Sequence, residues 1–220
     1  MGGGRIVFYG WNNKVIIKEN TKITDLLIEI KNSSEIEIGE GAVFSGKNSV
    51  FLADESQLKI GKMCKFFSAK LVVGIGARLS ILNNCTFGEN DIIRTGYMGN
   101  IRIGEDCMFS WDVMILGNDG HAIFDVISGE RSNLDKGLAT EIGNHVWIGA
   151  RCNILPKVKI ADGSIIGTAS VVTKTIGNNC IAAGNPAKII KKDVAWHRNP
   201  AIRNIDLCPS QYVNLTDYIR

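Results

Sequence analysis

A repeat with a fixed spacing of six residues constrains this chain more than any other feature of its sequence. An α-helix has a period of about 3.6 residues and a simple strand a period of about 2, so neither element explains it. A short strand followed by a corner explains a spacing of six residues, and three such units would close one triangular coil of about 18 residues. In the C-terminal half the aliphatic positions are Ile142, Ile148, Ile154, Ile160, Ile166 and Val172.

The N-terminal half repeats the same pattern at a longer spacing of 21 or 22 residues. That spacing is one coil plus a few loop residues, and stacked coils would form parallel sheets around one core. A β-sandwich with regular turns is the alternative, but its strands rarely keep one residue class at one phase over five copies. The repeated positions are Ile17, Ile38, Ile60, Ile81 and Ile103, each followed six residues later by Ile23, Phe44, Phe66, Phe87 or Phe109. We expect the phenylalanines to stack along one inner edge.

Small residues follow each repeated isoleucine by four positions, and cysteines fill many of these sites. Cys64, Cys85 and Cys107 share one repeat position, and Cys152 has the matching place in a later coil. A buried free cysteine behaves as a small hydrophobic residue. The pattern therefore predicts four core thiols and no disulfides among them, while Cys180 and Cys208 are left without a role.

Composition excludes several classes of protein. A length of 220 residues suits one domain, and a net charge of +3 is too weak to indicate a nucleic-acid or membrane-surface partner. There is no apolar run of the roughly 20 residues that a membrane span needs, nor a signal-peptide stretch near Met1. We therefore expect a cytoplasmic protein with no nucleic-acid partner and no membrane span.

Three stretches resemble the hexapeptide-repeat acyltransferases: EIGNHVWIGA at 141–150, IIGTASVVTK at 165–174 and AGNPAK at 183–188. Residues 118–125, NDGHAIFD, resemble the catalytic loop of the bacterial polysaccharide and sialic-acid O-acetyltransferases within that family. The resemblance implies a left-handed parallel β-helix, acetyl-CoA as acyl donor, and a homotrimer with active sites between subunits.

The six-residue order breaks after Ile115 and resumes at Ile142, and long ordered loops are usually functional. The resemblance makes His121, within this loop, the general base that deprotonates a sugar hydroxyl for direct attack on the thioester. Without the resemblance, His121 would be an ordinary solvated loop residue. Asn118 and Asp119 could bind the sugar, and their alternative is turn chemistry.

The family resemblance assigns further residues on the coils after the loop. The indole N–H of Trp147 could donate to the thioester oxygen or to the acceptor, although packing on the outer surface is the alternative. Lysines would meet the CoA phosphates as point charges, with plain solvation as the alternative. The implied acetyl-CoA contacts are Ala150, Thr168, Thr173, Lys174 and Lys191.

A metal site is not predicted. A related family with this fold binds zinc through three histidines, which here would require His121, His145 and His197 to converge. Their spacings of 24 and 52 residues lack the short histidine pair that such a site uses. We expect His145 at the surface.

The predicted organisation is all-β: a left-handed β-helix over 1–184, with a protruding catalytic loop at about 117–141. A C-terminal helix and tail occupy 185–220, with an amphipathic helix over 187–197 that covers the last coil.

The predicted function is an acetyl-CoA-dependent O-acetyltransferase that acts on a sugar hydroxyl of a capsular or other surface polysaccharide. An N-acetyltransferase for a nucleotide-linked amino sugar would use the same His121 and CoA groove. A non-catalytic β-helix scaffold and a metal-dependent hydratase are the remaining alternatives.

Overall fold

The structure, a computed structural model, describes residues 3–133 and 139–216. Its regular elements are strands and two 3₁₀ turns, at Ile205–Leu207 and Ser210–Tyr212. In chain order the strands are β1 (Gly4–Phe8), β2 (Lys14–Ile17), β3 (Lys22–Ile30), β4 (Glu35–Ile38), β5 (Val43–Leu52), β6 (Gln57–Ile60), β7 (Lys65–Phe67), β8 (Lys70–Val73), β9 (Arg78–Ile81), β10 (Thr86–Phe87), β11 (Ile92–Arg94), β12 (Asn100–Ile103), β13 (Met108–Phe109), β14 (Met114–Leu116), β15 (Thr140–Ile142), β16 (Trp147–Ile148), β17 (Asn153–Ile154), β18 (Lys159–Ile160), β19 (Ile165–Ile166), β20 (Val171–Val172), β21 (Ile181–Gly184) and β22 (Ala187–Lys191).

Each coil contributes strands to three faces in turn. The first face runs β7-β10-β13-β16-β19-β21, the second β8-β11-β14-β17-β20, and the third β2-β4-β6-β9-β12-β15-β18. The long strand β5 pairs with both β7 and β8, so it turns a corner and joins the first two faces into one sheet. Neighbouring coils pair in parallel, which confirms the predicted β-solenoid.

Four phenylalanines form a continuous stack inside the first face, as the repeat predicts. Successive ring centroids from Phe44 through Phe66 and Phe87 to Phe109 lie 4.8, 4.8 and 4.5 Å apart, and the planes are within 5° of parallel. Each such aromatic pair contributes about 0.5–1.5 kcal/mol beyond the burial of its area. Parallel pairing places identical side chains directly above one another, and this fixes the register of the coils.

The repeated cysteines are buried and free, which confirms the prediction of core thiols. Each Sγ donates a hydrogen bond of 3.0 Å to a corner carbonyl of the next coil; the pairs are Cys64–Leu82, Cys85–Gly104, Cys107–Gly143 and Cys152–Gly167. A thiol at this position thus fills a small space and also satisfies a carbonyl. Burial raises the pKa of the Cys152 thiol, consistent with a protonated donor.

The prediction of an amphipathic helix over 187–197 is wrong. Residues 187–191 form β22, which runs antiparallel to β21 after a turn at Gly184, where φ is +106°. The edge of β21 offers unpaired backbone groups, and a second strand satisfies them where a helix could not. The last coil is therefore covered by a strand pair and by the segment that follows.

Residues 192–216 fold back along the edge between the third and first faces. The Asn179 amide, at a corner of the last coil, donates to the carbonyl oxygens of Val194 and Tyr212 at 2.9 and 2.6 Å. The Thr216 N–H donates to Asp193 at 2.7 Å. Among the described residues, no helix is long and apolar enough to cross a membrane.

One carboxyl group lies inside the solenoid. Asp91 accepts a hydrogen bond from the Val113 N–H at 2.9 Å, while its second oxygen has no partner among the described residues. Burial raises the pKa of Asp91 to about 7. Asn48 has the equivalent place two coils earlier, and its amide donates to the carbonyls of Ser45 and Gly46. An amide therefore suits this column of the core.

We expect Asp91→Asn to stabilise the protein at pH 8 and to change little at pH 4. The pKa of Asp91 is higher in the folded chain than its ordinary 3.8, so its contribution to the free energy of unfolding falls as pH rises towards about 7. Asparagine does not titrate, and the gain at pH 8 should be about 1–3 kcal/mol. Thermal denaturation at both pH values tests this, with the exposed Asp25→Asn as control. Equal melting temperatures for wild type and Asp91→Asn at pH 8 would contradict it.

Candidate active site

The solenoid is interrupted between β14 and β15. The Thr140 hydroxyl, where the chain returns, donates to the carbonyl of Leu116, where it leaves, at 2.8 Å. The same hydroxyl accepts from the Lys157 N–H at 3.0 Å. Because Thr140 is buried, these bonds close the base of the intervening segment. Residues 134–138 of the expected catalytic loop lie outside the described residues.

Asn118 shapes the entry to this segment. Its amide donates to the Tyr97 carbonyl at 2.8 Å, and its side-chain oxygen accepts from the Gly120 N–H at 3.0 Å. Gly96 lies beneath it with a φ of +72°, and a Cβ atom there would collide with the Asn118 amide. Asn118 therefore links the outgoing segment to the preceding coil.

Residues 121–133 form a small hairpin held by Asn133. The Asn133 amide donates to the His121 carbonyl at 2.7 Å and to an Asp119 carboxylate oxygen at 3.1 Å, while its oxygen accepts from the Ile123 N–H at 2.9 Å. Asp125 closes the tip by accepting from Ser128, and these bonds lower the pKa of the Asp125 carboxyl. The backbone that carries His121 is thus fixed although the segment protrudes.

The hairpin places His121 over a pocket of about 560 Å³ at the edge between the second and third faces. Its imidazole is exposed, and its ring nitrogens have no hydrogen-bond partner within 3–133 and 139–216, so both can meet a ligand. Asn118 and Asp119 line the same pocket, so the structure brings three of the expected site residues together. The other lining residues are Gly76, Arg78, Tyr97, Met98, Asn100, Gly120, Ala122, Arg131, Asn133 and Lys157.

Sequence reasoning missed the cations and the aromatic ring of this pocket. Among the residues that the structure describes, Arg78, Arg131 and Lys157 line it beside the Asp119 carboxylate, so the described part of its lining is net positive. Tyr97 is 65% exposed there. Tyr97 precedes Asn118 by 21 residues, and the repeat spacing could have placed it one coil below the loop.

Trp147 lies elsewhere in the same chain. It begins β16 on the first face, and its indole N–H points to the Ser110 hydroxyl at 3.5 Å, near the limit for a hydrogen bond. His121 and Trp147 are therefore on different parts of the prism surface, and one chain does not bring them together.

The expected cofactor residues fall in three places. Ala150 and Thr168 stack at the corner between the first and second faces, where the Ala169 N–H donates to the Ala150 carbonyl at 2.8 Å. Thr173 and Lys174 are exposed directly after β20, on the edge that carries the hairpin two coils earlier. Lys191 ends β22 and pairs with Ile181.

The expectation that His145 lies at the surface is wrong, because a segment fifty residues later covers it. Its side chain is buried between the rings of Trp196 and Tyr212, with centroids at 4.0 and 4.8 Å. Its ring nitrogens lie 2.7 Å from an Asp106 carboxylate oxygen and 3.0 Å from the Trp196 carbonyl. They are thus engaged, and the described residues hold no group of three potential metal ligands.

Comparison with known proteins places this architecture in a family. A family model for bacterial transferase hexapeptide (six repeats) matches residues 139–174. The polysialic acid O-acetyltransferase of Neisseria meningitidis is 32% identical over 195 residues, covering 88% of this chain and 80% of that protein. A polysialic acid O-acetyltransferase of Escherichia coli O1:K1 / APEC is 34% identical over 149 residues, covering 66% of this chain. This chain spans about half the length of that second relative, 48%.

Solved structures agree with the sequence relatives. The polysialic acid O-acetyltransferase OatWY superposes with a TM-score of 0.78 at 27% identity, covering 94% of this chain and 99% of that one. The polysialic-acid-specific acetyltransferase NeuO gives a TM-score of 0.72 at 28% identity, covering 92% and 86%. The matched hexapeptide coils, the alignment along most of the chain and the shared fold show that this chain belongs to the hexapeptide-repeat acyltransferase family.

Proposed function

We propose that this protein is an acetyl-CoA-dependent O-acetyltransferase that modifies a sugar hydroxyl of a surface polysaccharide. The observation that carries the proposal is the hairpin, which interrupts a regular solenoid to hold His121 over a pocket of about 560 Å³. A scaffold has no need of such an interruption. Relatives named as polysialic acid O-acetyltransferases support the same chemistry.

His121 acts as general base in the proposed reaction. A neutral imidazole nitrogen takes the proton of the acceptor hydroxyl, and the oxygen attacks the thioester carbonyl carbon of acetyl-CoA. The tetrahedral intermediate collapses, the carbon–sulfur bond breaks, and the leaving thiolate takes the proton from the imidazolium. The exposed ring and the fixed backbone of His121 suit both transfers.

The oxyanion of this intermediate needs a hydrogen-bond donor, and we assign that role to Trp147. Among the described residues its indole N–H has one partner, the long contact to Ser110, and it is therefore available to a stronger acceptor. Since His121 and Trp147 lie apart in one chain, the complete site forms between subunits of a homotrimer. Each active site then combines the hairpin of one subunit with the later coils of the next.

The three faces differ in a way that supports such packing. The third face points charged residues outward, including Glu37, Lys59 and Arg102. The second face carries a groove of about 590 Å³ in which half-buried apolar side chains predominate beside Glu29, Lys70 and Arg94; the apolar ones are Phe51, Val72, Ile92, Met114 and Leu116. Burying this apolar face against another copy removes it from water, while the charged face stays solvated.

The acceptor pocket suits an acidic sugar. Among its described lining residues the cations Arg78, Arg131 and Lys157 outnumber the carboxylate of Asp119. The exposed Tyr97 offers a ring face to a pyranose. Acetyl-CoA would lie along the later coils. There the small residue Ala150 lets a thin pantetheine arm approach the backbone, and Lys174 meets a phosphate.

We expect His121→Ala to retain acetyl-CoA binding and to lose about 10²- to 10⁴-fold in kcat, because general-base assistance is worth that much. The assay is release of CoA thiol from acetyl-CoA with polysialic acid, neutral galactosides and nucleotide-linked amino sugars as acceptors. Lys59→Ala is the control and should remain active, because Lys59 is exposed on the outer surface of the third face, away from the hairpin and from residues 194–198.

Unchanged turnover in His121→Ala would refute the general-base role. Release that depends on a nucleotide-linked amino sugar alone would replace the O-acetyltransferase with an N-acetyltransferase. The absence of both CoA binding and thiol release in the wild-type protein would favour a scaffold.

Lys174→Ala should raise the KM for acetyl-CoA about tenfold and leave kcat nearly unchanged, because a phosphate contact remote from the thioester contributes equally to ground and transition states. Lys159→Ala is the control, since Lys159 is an exposed cation on the third face that faces Glu141 at 3.8 Å. Initial rates at varied acetyl-CoA separate the two constants. A loss in kcat alone would show that Lys174 does not hold the donor.

A further inference from the structure

The indole of Trp147 is held loosely by its own face of the solenoid. Its neighbours in the outward column are Met108 and Ile165, which are flexible or aliphatic and give no directional contact. Its N–H reaches Ser110 only at 3.5 Å. A donor that must meet a developing oxyanion needs a defined direction, so something beyond the first face must orient this ring.

The strap, residues 194–198, supplies the missing contact. Trp196 lies in the strap, is 6% exposed, and its ring centroid is 6.1 Å from that of Trp147 with the planes tilted by 44°. This is the tilted arrangement and the separation at which aromatic pairs attract each other. Trp196 thus bounds one side of the Trp147 ring.

Trp196 is itself fixed by a reciprocal pair of hydrogen bonds with His145. The Trp196 indole N–H donates to the His145 carbonyl at 2.8 Å, and His145 Nε2 lies 3.0 Å from the Trp196 carbonyl oxygen. The two rings stack with planes 10° apart. Tyr212 covers the other side of the His145 ring.

A charged cluster anchors the same strap to the coils below. Asp106 accepts from His145 Nδ1 and from Arg198 Nε, both at 2.7 Å. Arg198 also donates to the carbonyls of Asn84 and Cys107 at 3.1 and 2.9 Å. Burial raises the pKa of the Asp106 carboxyl, but the bonds from His145 and Arg198 outweigh it and hold that pKa below its usual value.

We infer that Trp196 is a positioning residue that orients the Trp147 indole for acetyl transfer, and that the strap exists to hold it there. The inference rests on the proposed function, because it gives Trp196 an effect on catalysis only through Trp147. A simple cover for the edge of the solenoid would require neither the stacking on His145 nor the contact with a ring on the neighbouring face.

The test is a double-mutant cycle on kcat with Trp147→Phe, Trp196→Ala and the pair. Displacing a catalytic group by about 1 Å can cost about 100-fold, so Trp196→Ala should lower kcat by about 10- to 100-fold with little change in the KM for acetyl-CoA. In the Trp147→Phe background the same change should cost almost nothing, because the indole that Trp196 orients is already absent. Trp196→Phe keeps the ring stack on His145 and should restore part of the activity.

A spectroscopic readout separates positioning from loss of structure. Two indoles in contact give an exciton couplet in far-ultraviolet circular dichroism, and both Trp147→Phe and Trp196→Phe should abolish it. Trp11→Phe is the control, because Trp11 is 78% exposed at the other end of the solenoid. The melting temperature of each variant reports whether the coils remain folded.

Each outcome decides one point. The positioning role would be overturned if the losses in kcat of the two single variants add in the double mutant. It would also be overturned if Trp196→Ala has wild-type kcat while Trp147→Phe is impaired. Either result would leave the proposed function standing. A Trp147→Phe variant with full kcat would instead remove Trp147 from the proposed mechanism, and the positioning role with it.

Discussion

Parallel pairing between like positions of successive coils is the constraint on which the rest of this structure depends. Each coil donates and accepts backbone hydrogen bonds above and below, so a residue type that fits one coil is presented with the same environment in the next. The phenylalanine stack and the cysteine column are the visible result. The phenylalanines fill a wide inner edge of the coils, and the cysteine thiols donate hydrogen bonds to corner carbonyls. Each coil repeats the same packing because it has the same shape.

The proposed site is built where this repetition stops. The hairpin leaves the coils at Leu116 and is tied back by Thr140, and its own hydrogen bonds hold His121 with no help from the sheet. The strap likewise lies outside the repeat and meets it through side chains. The proposed base, His121, therefore stands on an irregular segment that a rigid prism positions, which is the usual relation between a scaffold and its functional loops. The proposed oxyanion donor, Trp147, stands instead on a regular strand, β16. Asp91 also departs from the repeat, but it lies inside the core. Its buried carboxyl lowers the stability of the coils at neutral pH and has no role in the proposed reaction.

The coils could be predicted from the sequence because their determinants are local and recur at fixed spacing. The position of His121 within an interruption was predictable for the same reason. The burial of His145 was not, because it depends on Trp196, which is 51 residues away and has no place in the repeat. The strand over Ala187–Lys191 could not be predicted either, since its sequence AKIIK fits a helix as well as a strand and the open edge of β21 decides between them. The relation of His121 to Trp147 required knowing which face each one follows.

The contacts of Arg198 have a consequence for how the molecule assembles. Coils can stack one upon the next with contacts about 21 residues apart in sequence, so the prism can grow by local steps. Arg198 instead reaches Asn84, 114 residues earlier, and closes the largest loop among the side-chain contacts described above. Closing so long a loop costs conformational entropy and is therefore slow. The contacts of Arg198 form only when the coils from Asn84 to Trp147 are already in register. If Trp196 orients Trp147 as inferred, that ring takes its position last, after the prism that carries it is complete, and a partly stacked chain has no fully formed site for an acyl donor.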